Sequence, residues 1–475
     1  MTKIRQKKIK IELFKEQETY TIYNGSMLDM LEVIQPNSID SIVCDPPYEL
    51  NFMNKGWDNT GIAFNPNTWK KCYEVLKPGG YLLAFGGSRT FHRIAVAIED
   101  AGFEIRDTIM WIYGSGFPKS LNVAKAISAY ERTGGSSPKN LRKDRQGDDY
   151  KPTGQKDYQK GRAFSNEIKD DNKKVELTDQ AKQWQGWGTT LKPAYEPIIV
   201  ARKPFKGSLV DNVLTYGVGG INIDECRVGE NLMEAHPSGK TSRAYQSEEM
   251  TTAFGMGENH FGRFPANVIH DGSEEATSGF PHTKSGKMLP KHKRTTDQSP
   301  NGIYGKFDVN HPLSETYGDS GSAARFFYTA KASKKDRDEG LDGFEQMQTT
   351  DGYIRNNEES ARKFGANSAL RRNIHPTVKP CELMQYLVRL VTPRGGIVLD
   401  PFMGSGSTGK AVMFENRERN ADYKFIGIDL EEKYCQIANA RIDYALNKYE
   451  YDAIKEQQQA KQRGQTSIFD FIEAN

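Results

Sequence analysis

Apolar positions along the chain fall into two rhythmic stretches separated by a long interval that has no rhythm. Up to about residue 125, short apolar runs alternate with amphipathic segments. "SIDSIVCD" reads as a strand. "TWKKCYEVLKPGG", Thr68 to Gly80, reads as a helix stopped by Pro78 and Gly79. "YLLAFGG" is a buried strand, "TFHRIAVAIEDAG" a helix closed at Gly102, and "FEIRDTIMWIYG" a strand again. Such alternation predicts an α/β fold, a parallel sheet with helices packed on its faces.

The rhythm then stops. Arg132 to Trp187 is polar, charged and poor in apolar residues. "PIIVA", inside Leu191 to Pro204, restores one strand. From Phe205 to Asn373 the chain is rich in Gly, Ser and Asn, with scattered aromatics and no sustained period, and reads as an irregular insertion. Alternation returns with "GGIVLDPFMGSGSTGKAVMF" (strand, Gly-rich loop, helix), "KFIGIDL" (strand) and "EEKYCQIANARIDYALNKY" (long helix). A Gln- and Lys-rich tail follows from Glu450. The expected organisation is a first catalytic part over 1–125, an insertion over 126–370 from which 190–204 returns to the catalytic sheet, a second catalytic part over 371–449, and a tail over 450–475.

Two places break the strand pattern in ways that suggest chemistry. In "SIVCDPPYELN" the apolar run stops at Asp45, followed by Pro46, Pro47 and Tyr48. Proline fixes φ and forces the residue before it into extended geometry. The segment is therefore a stiff elbow at a strand end, where open α/β sheets bind ligands. Near the other end, "DPFMGSGSTG", Asp400 to Gly409, takes a strand through glycines at 404, 406 and 409 into a helix. Glycines permit close approach of backbone to ligand, and a helix N-terminus offers free N–H groups. About twenty residues on, Asp429 ends the next strand, where a carboxylate can accept both hydroxyls of a ribose. Together these favour a nucleoside-bearing cofactor, although the loop reads F-x-G-x-G-S-T-G and not the nicotinamide fingerprint.

Length and charge narrow the picture slightly. The 475 residues admit about three ordinary domains, or two with a large insertion. The net charge of +3 is too small to imply a nucleic-acid partner, but basic residues cluster at Lys3, Arg5, Lys7, Lys8 and Lys10 and at Lys291 to Arg294. Five scattered cysteines without a C-x-x-C pair fit a reducing compartment and no zinc knuckle. With no secretion-signal pattern and no long apolar run, the expectation is a cytoplasmic protein without membrane or metal.

The elbow D-P-P-Y, the loop F-x-G-x-G-S-T-G and the intervening "HPTVKP", His375 to Pro380, together resemble the amino-methylating DNA methyltransferases. The order, elbow first and cofactor loop last with an insertion between, is that of the circularly permuted beta group. The resemblance covers roughly residues 20–125, 190–204 and 371–445. It implies a Rossmann-like fold, S-adenosylmethionine as cofactor, and double-stranded DNA as substrate, methylated on adenine N6 or cytosine N4. The insertion would be the target-recognition region. Asp45 and the carbonyl of Pro46, with Pro47 stiffening the elbow, would accept the target amino group, and Tyr48 would stack on the flipped base. Asp400, Phe402, Gly404, Gly406, Ser407 and Thr408 would line the cofactor, and Asp429 would hold its ribose. His375, Thr377 and Lys379 would sit near its methionine end. One departure stands out. The family commonly reads N-G-D after its first strand, and this chain has Asn24-Gly25-Ser26, so Ser26 either substitutes weakly or the contact is lost.

Adenine N6 is favoured because D-P-P-Y is the more frequent spelling in adenine enzymes. Cytosine N4 is the first alternative, followed by an RNA or protein-amide methyltransferase and by a non-catalytic DNA-binding module. Trp57, Trp184 and Trp187 are expected to be packed inside rather than to touch DNA. Arg263, Arg325 and Lys331 are candidate DNA contacts. The tail "QTSIFDF" resembles a sliding-clamp-binding peptide through Gln465 to Phe469, and a homodimer is a further candidate assembly.

Overall fold

A computed structural model describes residues 13–50, 58, 60–116, 120–132, 177–233, 260–286, 319–330, 333–350, 353–355 and 370–448. The N-terminal basic cluster, Trp57, Lys291 to Arg294, Lys331 and the tail peptide Gln465 to Phe469 lie outside the described residues.

One ten-stranded sheet organises the chain. Its strands in chain order are β1 (Leu13–Glu16), β2 (Tyr20–Asn24), β3 (Ile39–Cys44), β4 (Leu76–Phe85), β5 (Glu104–Ile112), β6 (Tyr195–Arg202), β7 (Val268–His270), β8 (Tyr328–Thr329), β9 (Ile397–Asp400) and β10 (Lys424–Asp429). Across the sheet they lie in the order β1-β2-β10-β9-β3-β4-β6-β5-β7-β8. Strands β2, β10, β9, β3 and β4 run parallel. The edge strand β1 is antiparallel to β2. The parallel expectation fails inside the sheet too: β6 runs antiparallel to both β4 and β5. The C-terminal strands β9 and β10 thus insert between β2 and β3, which places the two ends of the chain in one Rossmann-like domain.

Central position explains the sequence of β3. All six residues, Ile39 to Cys44, are buried, because helices cover both faces of a parallel sheet. One face packs on helices α7 (Cys381–Val391), α8 (Ser407–Arg419) and α9 (Glu432–Leu446) through Val43, Leu387, Val398 and Ile442. The other packs on α1 (Met27–Met30), α2 (Pro66–Val75) and α3 (Phe91–Asp100) through Ile42, Trp69, Leu82 and Ile98. Each such buried aliphatic side chain contributes roughly 1.5–3 kcal/mol relative to exposure. One polar exception is well paired: buried Asp40 on β3 accepts from Lys77 Nζ at 2.6 Å and from the Ile397 amide at 2.8 Å, tying β4 and β9 to β3.

Three expectations change. Helix α2 ends at Val75, ahead of Pro78 and Gly79, and β4 already begins at Leu76. The β3–β4 pairing jumps from Ile39↔Leu76 to Ser41↔Tyr81, so the proline sits in a bulge, where a strand tolerates a missing N–H. Second, the insertion is not wholly irregular: β7 and β8 extend the main sheet, helices α4 (Val123–Arg132) and α5 (Asp179–Lys182) form near its start, and α6 (Leu209–Tyr216) carries a Ser208/Asp211 capping box. Third, Trp184 and Trp187 are exposed, by 43% and 59%, in a T-shaped pair with centroids 5.3 Å apart. No described helix is long and apolar enough to cross a membrane. All five cysteines are free and buried.

Candidate functional site

The register of the sheet joins the two unusual segments. Parallel pairing sets Val398 opposite Ser41 and Leu399 opposite Ile42. Asp45 and Phe402, each three residues further on, therefore leave adjacent strands at the same carboxyl edge of the sheet. A cleft of about 1210 Å³ opens there. It is lined by Ser26, Asp45 to Tyr48, His375, Thr377, Lys379, Asp400, Phe402, Gly404, Ser407, Thr408 and Asp429. Of the residues that the resemblance assigns to the base and the cofactor, all border it except Gly406.

Asp45 and Lys379 form its polar centre. Lys379 Nζ donates to Asp45 Oδ2 at 2.6 Å and lies 3.3 Å from Glu196 Oε2. The Tyr48 hydroxyl donates to the same Glu196 oxygen at 2.8 Å. Burying an ammonium is costly unless it is compensated, and here two carboxylates share it. Burial pulls the Lys379 pKa down, but Asp45 and Glu196 more than offset this and the net direction is up. Burial raises the Asp45 pKa, with Lys379 pulling it down and Glu196 pushing it up. The second oxygen, Asp45 Oδ1, is buried and accepts no hydrogen bond among the described residues. A buried carboxylate oxygen without a donor is rare in a folded chain. Such an oxygen can accept an N–H group.

The elbow after Asp45 is braced from behind. Thr90 Oγ1 donates to the Tyr48 carbonyl at 2.8 Å. A Cβ on Gly87 would come within 3.2 Å of the Tyr48 ring, so glycine there leaves the ring its space. Glu49 adopts a left-handed φ of 54°, held because the carboxylate of buried Asp58 accepts from the Glu49 and Leu50 amides at 2.9 and 3.2 Å.

The Gly-rich loop forms the other half. Gly404 has φ 54°, and a Cβ there would meet His375 Nε2 at 2.9 Å. Gly406, with φ 75°, would meet the backbone of Ala438 at 2.9 Å, so it serves the packing of α9 rather than the cleft wall. Asp429 Oδ2 accepts from the Gly404 amide at 2.8 Å and Oδ1 from the Glu431 amide at 2.9 Å. The carboxylate that the sequence assigns to a ribose thus also shapes the loop. Burial lifts its pKa to about 6. Asp400 accepts from Thr408 Oγ1 at 2.5 Å and from the Phe402 amide at 3.0 Å, and burial lifts it to about 7. Ser26 precedes α1 without a side-chain capping bond and borders the cleft. The His375 segment is held by Arg337, which donates to the His375 carbonyl, and by Asn373 Oδ1, which accepts from the His375 amide at 3.0 Å. Desolvation pushes the His375 imidazole down to about 3. A carboxylate at the end of β10, a glycine loop and an aromatic, Phe402, whose ring centroid lies 6.1 Å from that of Trp69, make a lining suited to a charged nucleoside such as S-adenosylmethionine.

A family model described as DNA methylase, that of the N6/N4 methyltransferases, matches residues 39–440. The chain belongs to this family. As a DNA methylase of the N6/N4 amino-methylating class it uses S-adenosylmethionine and acts on DNA, with the Rossmann-like methyltransferase fold described above. It is 26% identical over 233 residues to the type II methyltransferase M2.LlaDCHI of Lactococcus lactis subsp. cremoris, covering 43% of this chain and 81% of that protein. It is 24% identical over 246 residues to M.HindIII of Haemophilus influenzae, covering 42% of this chain and 64% of that one. The solved structure of the cytosine-N4-specific PvuII DNA methyltransferase aligns with 92% of this chain and 97% of its own at 13% identity, with a TM-score of 0.38.

Glu196 escaped the sequence reading, as did Trp111, Tyr113, Arg337 and Tyr434 on the cleft wall. Glu196 had one usable signal, a carboxylate directly ahead of the apolar run "PIIVA". Of the candidate DNA contacts, Arg263 and Arg325 are committed elsewhere: both pair with Asp319, and Phe326 lies against both guanidinium groups.

Proposed function

We propose that this methylase transfers a methyl group to N6 of an adenine rotated out of duplex DNA, with Asp45 and the Pro46 carbonyl as acceptors for the amino group. The observation that carries the reading is the buried, unpartnered Asp45 Oδ1 beside the Tyr48 ring in the cleft. An exocyclic amino nitrogen is a poor nucleophile because its lone pair is conjugated into the ring. Two acceptors aimed at its N–H bonds favour a pyramidal nitrogen whose lone pair is free. S-adenosylmethionine, when bound, supplies an electrophilic methyl group that needs only alignment.

The chain's residues then divide the work. Tyr48, its hydroxyl fixed by Glu196, offers the base a stacking face. Lys379 keeps one oxygen of Asp45 occupied and directs the other at the substrate. As the new N–C bond forms and the sulfur–methyl bond breaks, with S-adenosylhomocysteine as the neutral leaving group, one N–H proton leaves the nitrogen, and Asp45 Oδ1 is the adjacent acceptor that returns it to solvent. Phe402, Gly404, Ser407, Thr408 and Asp429 hold the cofactor, with Asp429 on its ribose. His375, Thr377 and Lys379 border its methionine end, and Ser26 and Asp400 complete the wall. The base must leave the stack to reach this corner.

Cytosine N4 is the second reading, because an amino group of the same geometry would fit the same acceptors. The test is incubation of DNA with labelled S-adenosylmethionine, then nucleoside mass spectrometry. N6-methyladenine supports the proposal, N4-methylcytosine transfers the mechanism to the other base, and no methylated nucleoside refutes both. Clamp binding through Gln465 to Phe469 and self-association are separate proposals, read by clamp pull-down with a tail deletion and by sedimentation.

A further inference from the structure

The segment leading into β6 presents apolar side chains to solvent at the rim of the cleft. Because β6 is antiparallel, its N-terminal end lies beside the carboxyl ends of β3 and β4, where Asp45 and Tyr48 sit. Leu191 is 92% exposed, yet it borders the same cleft as Tyr48. Exposed Trp184 and Trp187 precede it, and exposed Leu121 lies across from them. A single exposed leucine is ordinary, but one that lines a substrate cleft, on a segment that also exposes Trp184 and Trp187, is not.

The segment is also held firmly. Its amides at Thr189 and Thr190 donate to Ser120 Oγ at 2.9 and 3.3 Å, and Thr189 Oγ1 accepts from the Leu121 amide at 3.0 Å. The Trp187 carbonyl accepts from the Val123 amide at 3.1 Å, and the Ala194 carbonyl from the Tyr113 amide at 3.0 Å. Gly116 lets Pro193 approach: a Cβ there would sit 1.7 Å from the Pro193 carbonyl oxygen. Leu191 is thus an apolar tip on a braced support, flanked by Lys192 and next to the corner that would receive a base.

We propose that Leu191 is the wedge that enters the DNA stack and fills the space left by the flipped base. Proteins that open a duplex insert apolar side chains between bases, and a rigid support lets the insertion oppose reclosure. The proposal rests on the flipped-base reading above and adds the residue that holds the base out. Lys192, the next residue, borders the same cleft and supplies a positive charge for the phosphates beside the gap.

The test compares Leu191→Ala and Leu191→Met on two duplexes that carry the methylation site obtained by mapping modified bases. One is intact. The other has an abasic position opposite the target, so the target is already weakly held. On the intact duplex, Leu191→Ala is expected to lower kcat/KM by about tenfold or more, and on the abasic-opposite duplex to match the wild-type enzyme within about twofold. Leu191→Met keeps the bulk and is expected to stay near wild type on both. 2-Aminopurine at the target position should report less extrusion with Leu191→Ala, independently of transfer. Equal activity of Leu191→Ala and wild type on the intact duplex, or an equal loss on both duplexes, overturns the wedge and leaves the methylase reading standing. Absence of methyl transfer by the wild-type protein overturns the flipped-base reading and the wedge with it.

Discussion

Lys379 Nζ lies 2.6 Å from Asp45 Oδ2, and this contact leaves Asp45 Oδ1 as the one oxygen of the pair without a donor among the described residues. The two residues are 334 positions apart, one at the end of β3 and the other just ahead of α7. Lys379→Met removes the cation that pulls the Asp45 pKa down, while burial and Glu196 remain. The acid limb of kcat/KM should therefore move to higher pH, and kcat should fall by about 10²-fold as the carboxylate loses its orientation. Cofactor affinity, measured by calorimetry, should change less than kcat. An acid limb that stays in place would show that Asp45 titration does not control the rate.

Glu196 acts on the same carboxylate with the opposite sign, since it pushes the Asp45 pKa up. Glu196→Gln keeps an acceptor for the Tyr48 hydroxyl and removes the charge. The acid limb should shift to lower pH with a modest change in kcat. Glu196→Ala also releases Tyr48 and should cost more, about tenfold further in kcat/KM. If the two variants have the same pH–rate profile and the same kcat/KM, the Tyr48–Glu196 bond has no part in orienting the base.

Asp400 predicts a pH dependence of stability. Its folded pKa of about 7 lies above the ordinary 3.8 of the unfolded chain, so the folded state binds the extra proton between these values. The stabilisation is present below about pH 4 and is lost as pH rises through 7. Relative to wild type, Asp400→Asn should gain stability over that interval, on the order of a few kcal/mol, because an amide is not charged. Urea unfolding at pH 4.5 and pH 8 checks it, and a gap between variant and wild type that does not change with pH would contradict it.

Gly406 supports the loop from outside the cleft. Alanine there would need a φ of 75° and would press on the Ala438 backbone at 2.9 Å. Gly406→Ala should destabilise the fold by about 1–3 kcal/mol and lower the melting temperature. Asp429→Asn should instead leave the fold largely intact and weaken S-adenosylmethionine binding by about tenfold, read by calorimetry. Equal effects of both variants on cofactor affinity would argue against this separation of roles.

What could be read from the sequence follows the range of the interactions involved. The elbow was legible because Asp45 and its prolines directly follow the strand Ile39–Cys44, and the glycine loop because strand, glycines and helix start are contiguous from Ile397 to Ser407. Their adjacency followed only from the resemblance, since it depends on β9 pairing with β3 across the insertion. For Glu196 the sequence carries only a carboxylate ahead of an apolar run, because its partners Tyr48 and Lys379 are reached through the antiparallel placement of β6 between β4 and β5. Strands β7 and β8 are three and two residues long, too short to show an alternation. Large aromatics are usually packed inside, which is the expectation for Trp184 and Trp187, yet both are exposed on either side of Gly186, whose φ is 87°.

The most direct test of the account is methyl transfer by Asp45→Asn, run beside S-adenosylmethionine and DNA binding on the same preparation. The asparagine keeps the size of the side chain and removes the charged acceptor. Cofactor and DNA affinities should stay within a few-fold of wild type, and labelled methylated nucleoside should fall by at least about 10³-fold. Transfer at the wild-type rate by Asp45→Asn would contradict it.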